Sequence, residues 1–89
     1  MPKQIYVMCR VSKGFWENEL YVSVGGTSAF VQRENVRVDD PPEPNKEVVG
    51  KVLAFLLHES GDKALIELPG EPVVGGLRNW VPMAALAKA

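Results

Sequence analysis

Two adjacent aromatic residues in a polar segment are the side chains of this chain best suited to binding chemistry. Phe15 and Trp16 stand within SKGFWEN, beside the charges of Lys13 and Glu19. Large aromatic rings bordered by charges are typical of contact surfaces, because each ring buries much area with few rotatable bonds. The alternative is that both rings fold back and cap one end of the core. We take Phe15 and Trp16 as candidate binding residues.

A second candidate pair lies near the C-terminus, in LRNWVPMAAL. Arg78 and Trp80 are two residues apart, so a strand through them places both side chains on one face. Trp80 either contacts a ligand or closes the core. Arg78 either binds an acidic partner or is a solvated surface arginine.

The residue types that most often carry catalysis are sparse. His58 is the only histidine and has no accompanying ligand set or nucleophile. Cys9, the only cysteine, shares a strand face with Val7 and Val11, whereas Arg10 points to the other face. We therefore predict a buried, inert thiol, without a disulfide or a cysteine-based zinc site. The sequence predicts no metal and no cofactor.

Carboxylates and glycines add no catalytic pattern. Glu67 and Glu71 flank a turn, and no carboxylate pair has a spacing that demands acid–base catalysis. Gly25-Gly26 and Gly75-Gly76 lack the context of a phosphate-binding loop and are typical of turns. We name no catalytic residue and expect the chain not to be an enzyme. A site built at a subunit interface, with Trp80, Arg78 or His58 lining a shared cavity, is the remaining catalytic alternative.

Composition is that of an ordinary globular domain. The chain has 89 residues, of which 46% are apolar and 24% charged, with a net charge of −1. This balance argues against strong nonspecific attraction to nucleic acid or to a membrane surface. The most apolar run, 48–57, contains Lys51 and is too short to span a bilayer. With one cysteine and no visible signal peptide, the expected location is the cytoplasm.

Alternating hydrophobicity predicts paired strands. QIYVMCRV and ELYVSV each alternate with period two and flank a longer loop, which predicts one hairpin. VVGKVLAFLLHE and KALIEL flank Ser60-Gly61-Asp62, which predicts a second. Both faces are apolar over 52–57, so this strand is either central or covered on its outer side. A second copy of the chain or the N-terminal hairpin would supply that cover.

The last third of the chain resembles an earlier segment. Residues 64–89 predict a strand, a glycine–proline loop, a second strand and a helical turn that begins at Pro82. LYVSVGGTSAFVQRENVRV, residues 20–38, is a fainter version of the same pattern. We expect one domain, 1–89, with a hairpin extension at 1–38, a proline-rich loop at 39–47 and a compact segment at 48–89.

This strand order resembles SH3-like barrels, in which a short helical turn joins the last two strands, as WVPMAAL would do here. The resemblance implies an all-β fold with about 5–7 antiparallel strands and a short C-terminal helical turn. GKVLAFLL and PMAAL also resemble the plasmid-encoded type II dihydrofolate reductases. Where that family carries its ligand-binding Val-Gln-Ile-Tyr segment, this chain has residues 78–81, Arg-Asn-Trp-Val. The resemblance therefore implies the fold and not the activity.

These features favour a non-catalytic binding or assembly module, which contacts a protein partner or a second copy of itself. The alternative is a nucleic-acid-binding module, because the first 38 residues carry five basic side chains against three acidic ones. The five basic residues are Lys3, Arg10, Lys13, Arg33 and Arg37.

Overall fold

The computed structural model describes residues 3–88, and these form one antiparallel sheet of nine strands that curls into a half-barrel. The all-β prediction is confirmed. Three strands of only three or four residues raise the number above the five to seven expected. The strands are β1 (Lys3–Lys13), β2 (Glu19–Val24), β3 (Thr27–Gln32), β4 (Val36–Val38), β5 (Val48–Ser60), β6 (Lys63–Glu67), β7 (Glu71–Val74), β8 (Arg78–Pro82) and β9 (Leu86–Lys88).

The inner face of the curled sheet holds the core. Alternate residues of β1, β2, β3, β5 and β6 point inward, as period-two alternation requires, and their side chains are almost wholly removed from water. The largest of the fully buried side chains are Leu20, Ile66, Leu68, Val7, Val11, Val22, Val31 and Val52. Cys9 lies in the same layer. The predicted inward face of the first strand is thus confirmed.

The long strands β1 and β5 form the centre of the sheet, whose order is β7-β3-β2-β1-β5-β6-β8. The two short strands outside this order join opposite halves of the chain: β4 pairs with β5, and β9 pairs with β1. Each half therefore ends in a strand that completes the other half. Apart from the additional strand β7 in the second half, both halves use the same order of elements, and their strand pairings follow an approximate two-fold relation.

The internal resemblance noted in the sequence corresponds to a repeated local structure. β3 is followed by a 3-10 turn at Arg33–Asn35 and then β4; β8 is followed by a 3-10 turn at Met83–Ala85 and then β9. Pro82 precedes the second turn with φ −62°, an angle its ring imposes in any case. Both helical turns predicted from the sequence are present.

β5 is a central strand of the sheet, which is one of the two alternatives predicted for it. The β1–β2 hairpin extends the sheet beside β5, with Val7 opposite Val52, and does not cover the outer face. On that face, Leu53 and Phe55 remain half-buried. The proline-rich loop 39–47 connects β4 to β5 and contains a turn at Asn45, where φ is +64°.

Candidate functional site

The loop 14–18, which carries both candidate aromatics of the N-terminal half, is fixed by Arg33. The backbone N–H of Arg33 donates to the Asn18 carbonyl oxygen at 2.8 Å. Its side-chain Nε donates to the Glu17 carbonyl oxygen, also at 2.8 Å. A third bond runs from the Glu19 N–H to the Trp16 carbonyl oxygen at 3.2 Å. The loop is therefore anchored to the first 3-10 turn.

Phe15 and Trp16 both project into solvent from this anchored loop, with 83% and 70% of their surface exposed. The Phe15 ring lies against the ring of Phe30 on β3, with centroids 5.4 Å apart. Phe30 in turn contacts Tyr21 on β2, also at 5.4 Å. Tilted rings at this separation attract each other. Phe15 thus packs on the outer face of the sheet, and the core does not contain it.

A groove of about 360 Å³ lies between this loop and β7. We call it the aromatic groove. Among the described residues its lining consists of Phe15, Trp16, Glu19, Phe30, Val31, Gln32, Gly70 and Glu71. The only charges in this lining are two carboxylates, one on β2 and one on β7, so the groove combines aromatic faces with negative charge.

Gly70 allows the chain to pass close to β3 at the bottom of the groove. Its φ is +98°, a region that side chains with a Cβ rarely adopt. A Cβ at this position would overlap the carbonyl oxygen of Phe30. Gly70 is followed directly by β7, which places Glu71 opposite Phe30 in the ladder. A glycine is therefore needed to bring the second carboxylate to the groove.

Trp80 and Arg78, the second candidate pair, lie on the outer face of β8, as their spacing predicts. Trp80 is 45% exposed and therefore does not close the core. Its ring meets His58 edge-on, with centroids 6.1 Å apart. Arg78 Nε donates to Glu67 Oε1 at 2.8 Å in an exposed ion pair. This arginine already has an acidic partner within the chain.

Phe30, which contacts Phe15, and Trp80 occupy comparable places in the two halves. Tyr21 lies opposite Phe30 across β2 and β3, and Leu65 lies opposite Trp80 across β6 and β8. Phe30 and Trp80 both precede the valine that leads into a 3-10 turn. In the described part of the chain, Phe30 is bordered by an aromatic loop and by β7, whereas Trp80 has neither beside it. The aromatic groove is therefore the more complete of the two sites.

Sequence reasoning placed Glu19 beside the two aromatics but missed two other groove residues, Phe30 and Glu71. The signal for Phe30 was the internal repeat, in which FVQRENVRV aligns with WVPMAALAK. No local signal identifies Glu71, because it reaches the groove through the pairing of β7 with β3.

The three arginines of the N-terminal half have partners other than the aromatic rings of the loop, whereas Lys13 ends β1 beside the loop. Arg10 pairs with Glu47 at 3.1 Å. Arg37 donates to the Tyr6 hydroxyl at 3.1 Å and stacks over its ring, on the outer face of β4 and β1. Arg33 is turned toward the Glu17 carbonyl. Positive charge is thus dispersed over several strands.

Cys9 has the environment predicted for it. Burial raises the pKa of its thiol to about 12, because the thiolate would lose its hydration in the core. A thiol that stays protonated near neutral pH is a poor nucleophile. Within residues 3–88, no three side chains among His, Cys, Asp and Glu lie close enough together to hold a metal ion.

A further apolar area lies on the outer face of β1 and β5. Met8 is 49% exposed and Val49 is 61% exposed, and both line the same cavity of about 380 Å³. Leu53 and Phe55 lie farther along the same face of β5, separated from Val49 by the exposed Lys51, which is opposite Met8. We call Met8, Val49, Leu53 and Phe55 the outer apolar patch.

No family model, no curated protein and no solved structure matches this chain. Within the described residues, no helix has the length and apolar character needed to cross a bilayer.

Proposed function

We propose that the chain is a non-catalytic module that binds an extended peptide segment of a partner protein in the aromatic groove. The observation that carries this proposal is the exposure of Phe15 and Trp16 on a loop anchored by Arg33. Aromatic residues on a loop whose backbone is anchored beforehand lose less conformational entropy on binding than those on a mobile loop. A rigid aromatic groove is also a common way to bind extended peptides.

Two features favour a peptide over single-stranded nucleic acid. The charges that line the groove are the carboxylates of Glu19 and Glu71, which would repel phosphates. Arg10 and Arg37 have partners elsewhere on the sheet and do not border the aromatic rings. Proteins that bind single-stranded nucleic acid combine stacking aromatic rings with a positively charged surface, and this groove has only the aromatic rings.

The outer apolar patch supports a second role, self-association. Met8 and Val49 are exposed on neighbouring strands, and exposed apolar side chains that cluster often mark contacts with a partner. The patch contains the predicted apolar outer face of β5 and lies on different strands from the groove. Assembly through it would leave the aromatic groove open.

We further propose that the half-barrel is of SH3-like type. Each half ends in a strand, a 3-10 turn and a final strand, which is the arrangement that WVPMAAL suggested in the sequence. The exchange of final strands between halves would make the fold an internally duplicated variant. A crystal structure with a different sheet order would contradict this assignment.

Selection of displayed random peptides on the purified protein tests the main proposal. We expect selected peptides to bind the wild type and Val49→Ala with equal affinity, since Val49 lies outside the groove. Phe15→Ala and Trp16→Ala should each weaken binding about tenfold, a typical loss for an anchor residue. Trp16→Ala is the cleaner variant, because Phe15 also packs on Phe30. Failure to select any peptide, or selected peptides that bind both variants normally, would refute the proposal.

A further inference from the structure

We infer that the aromatic groove binds a positively charged side chain, Arg or Lys, of the partner peptide. This inference rests on the proposed function and specifies the chemistry of its ligand. It depends on how the two carboxylates and the aromatic rings are arranged around one cavity.

The aromatic component consists of rings on two different elements. Phe15 and Trp16 come from the loop, and Phe30 comes from β3 below them. The face of an aromatic ring carries partial negative charge and attracts a cation that lies over it. Trp provides the strongest such face, and that of Trp16 is largely exposed.

The carboxylates border the same cavity. Glu71 lies opposite Phe30 across β7 and β3, and Glu19 lies opposite Gln32 across β2 and β3. In the described part of the chain, the Glu71 side chain has no ion pair or hydrogen bond. Glu19 accepts one hydrogen bond at 3.3 Å, from the Phe15 backbone N–H. Both carboxylates therefore retain the capacity to accept bonds from an incoming cation.

Within residues 3–88, no ion pair joins Glu19 or Glu71 to a basic residue. Arg33 follows the groove residue Gln32, and its Nε is committed to the Glu17 carbonyl oxygen. No basic residue in the described part of the chain lines the groove. A cationic side chain from outside would meet aromatic faces and two negative charges together, which is the charge complementarity that selects such a partner.

The same charges argue against occupation by the proline-rich loop of a second copy. That loop, 39–47, carries four carboxylates and one lysine. Its approach to Glu19 and Glu71 would place like charges side by side. The groove is therefore better suited to a basic peptide of another protein.

Titration with blocked pentapeptides tests the inference. The peptides have the form Gly-Ala-Xaa-Ala-Gly, where Xaa is arginine, lysine, citrulline, norleucine or glutamate. NMR of the isotope-labelled protein reports on the indole N–H of Trp16, and the indole N–H of Trp80 is an internal reference outside the groove. We expect the arginine and lysine peptides to shift the Trp16 signal with affinities about fivefold above those of citrulline and norleucine.

Substitution of the carboxylates completes the test. Glu71→Gln should reduce affinity for the arginine peptide about fivefold and leave the norleucine peptide unaffected. Glu43→Gln, a carboxylate of the proline-rich loop, is the matched control and should change neither. Equal binding of the arginine, citrulline and norleucine peptides at Trp16 would overturn the cation inference while peptide binding itself stands. Absence of any Trp16 shift, or equal shifts at Trp80, would overturn both.

Discussion

Val7 and Val52 lie opposite each other at the centre of the β1–β5 ladder, and each also pairs with the final strand of the opposite half. Val7 is opposite Leu86 of β9, and Val52 is opposite Val36 of β4. Both valines are fully buried. The two halves of the chain therefore meet through this pair.

Truncation of either valine should destabilise the whole sheet. Val7→Ala and Val52→Ala each remove two methyl groups from a closely packed interior, and each should lower the free energy of unfolding by about 2 kcal/mol. The double variant should depart from additivity, since the residues are in contact. Urea unfolding measures all three. Val49→Ala, at an exposed site on the same strand, is the control and should change stability by less than about 0.5 kcal/mol. An equally large effect there would contradict this account of the core.

Replacement of Gly70 should damage both stability and the groove. Gly70→Ala combines a positive φ with overlap against the Phe30 carbonyl, and we expect a loss of about 2–4 kcal/mol. Because Gly70 leads into β7, the position of Glu71 should also change. Gly26→Ala is the matched control, since Gly26 has neither a positive φ nor a neighbouring atom within 4 Å of an added Cβ. Thermal unfolding and peptide affinity measure the two effects. A normally stable Gly70→Ala protein would show that β7 does not depend on this close approach.

Loss of the Arg33 side chain should loosen the loop without unfolding the protein. Arg33→Met keeps the aliphatic stem but removes the Nε donor to Glu17, at a cost of about 1 kcal/mol. Amide hydrogen exchange in residues 14–19 should accelerate, and peptide affinity should fall a few-fold. Arg10→Met, which removes an exposed ion pair far from the loop, should leave both unchanged. Unaltered exchange in Arg33→Met would mean that other contacts hold the loop.

Stability should fall at alkaline pH because of Cys9. The pKa of its thiol is raised to about 12 in the folded state, whereas the pKa of an unfolded cysteine is about 8.5. The folded protein therefore binds the proton more tightly, and this contribution to stability is lost as pH rises between the two values, at up to about 1.4 kcal/mol per pH unit. Urea unfolding at several pH values measures the slope. Cys9→Ala should make the free energy of unfolding fall less steeply with pH. An identical pH dependence in that variant would mean that other groups cause the effect.

Self-association through the outer apolar patch should be sensitive to added charge. Light scattering coupled to size exclusion should detect a dimer at high protein concentration, and Val49→Lys should convert it to monomer. Val73→Lys changes a comparably exposed valine on β7, outside the patch, and should leave the dimer intact. A wild-type protein that stays monomeric at high concentration would end the assembly proposal.

The parts of the fold that could be predicted are those with a pattern in the local sequence. The alternation in QIYVMCRV and ELYVSV specified strands and their buried faces, and Pro82 marked the second 3-10 turn. β7 was not predicted, because Glu71 and Pro72 are poor strand formers and proline occurs in sheets mainly at edges. The exchange of β4 and β9 between halves was missed because pairing over such sequence distances has no local signature.

In the candidate site too, local sequence identified some residues, and strand pairing alone placed the others. Phe15 and Trp16 could be identified from residue type and polar surroundings alone. Phe30 and Glu71 could not, because their contribution depends on which strand lies beside which. Trp80 and Arg78 lie on one strand face as predicted, but an intrachain ion pair already engages the arginine.

The pairing of β9 with β1 also has a consequence for synthesis on the ribosome. Val7 is synthesised long before its partner Leu86, because the two residues lie in opposite halves of the sequence. Until then one edge of β1 exposes unpaired backbone groups, a state that favours association with other chains. Contacts so distant in sequence also form slowly. The nascent chain should therefore depend on chaperones more than its small size suggests.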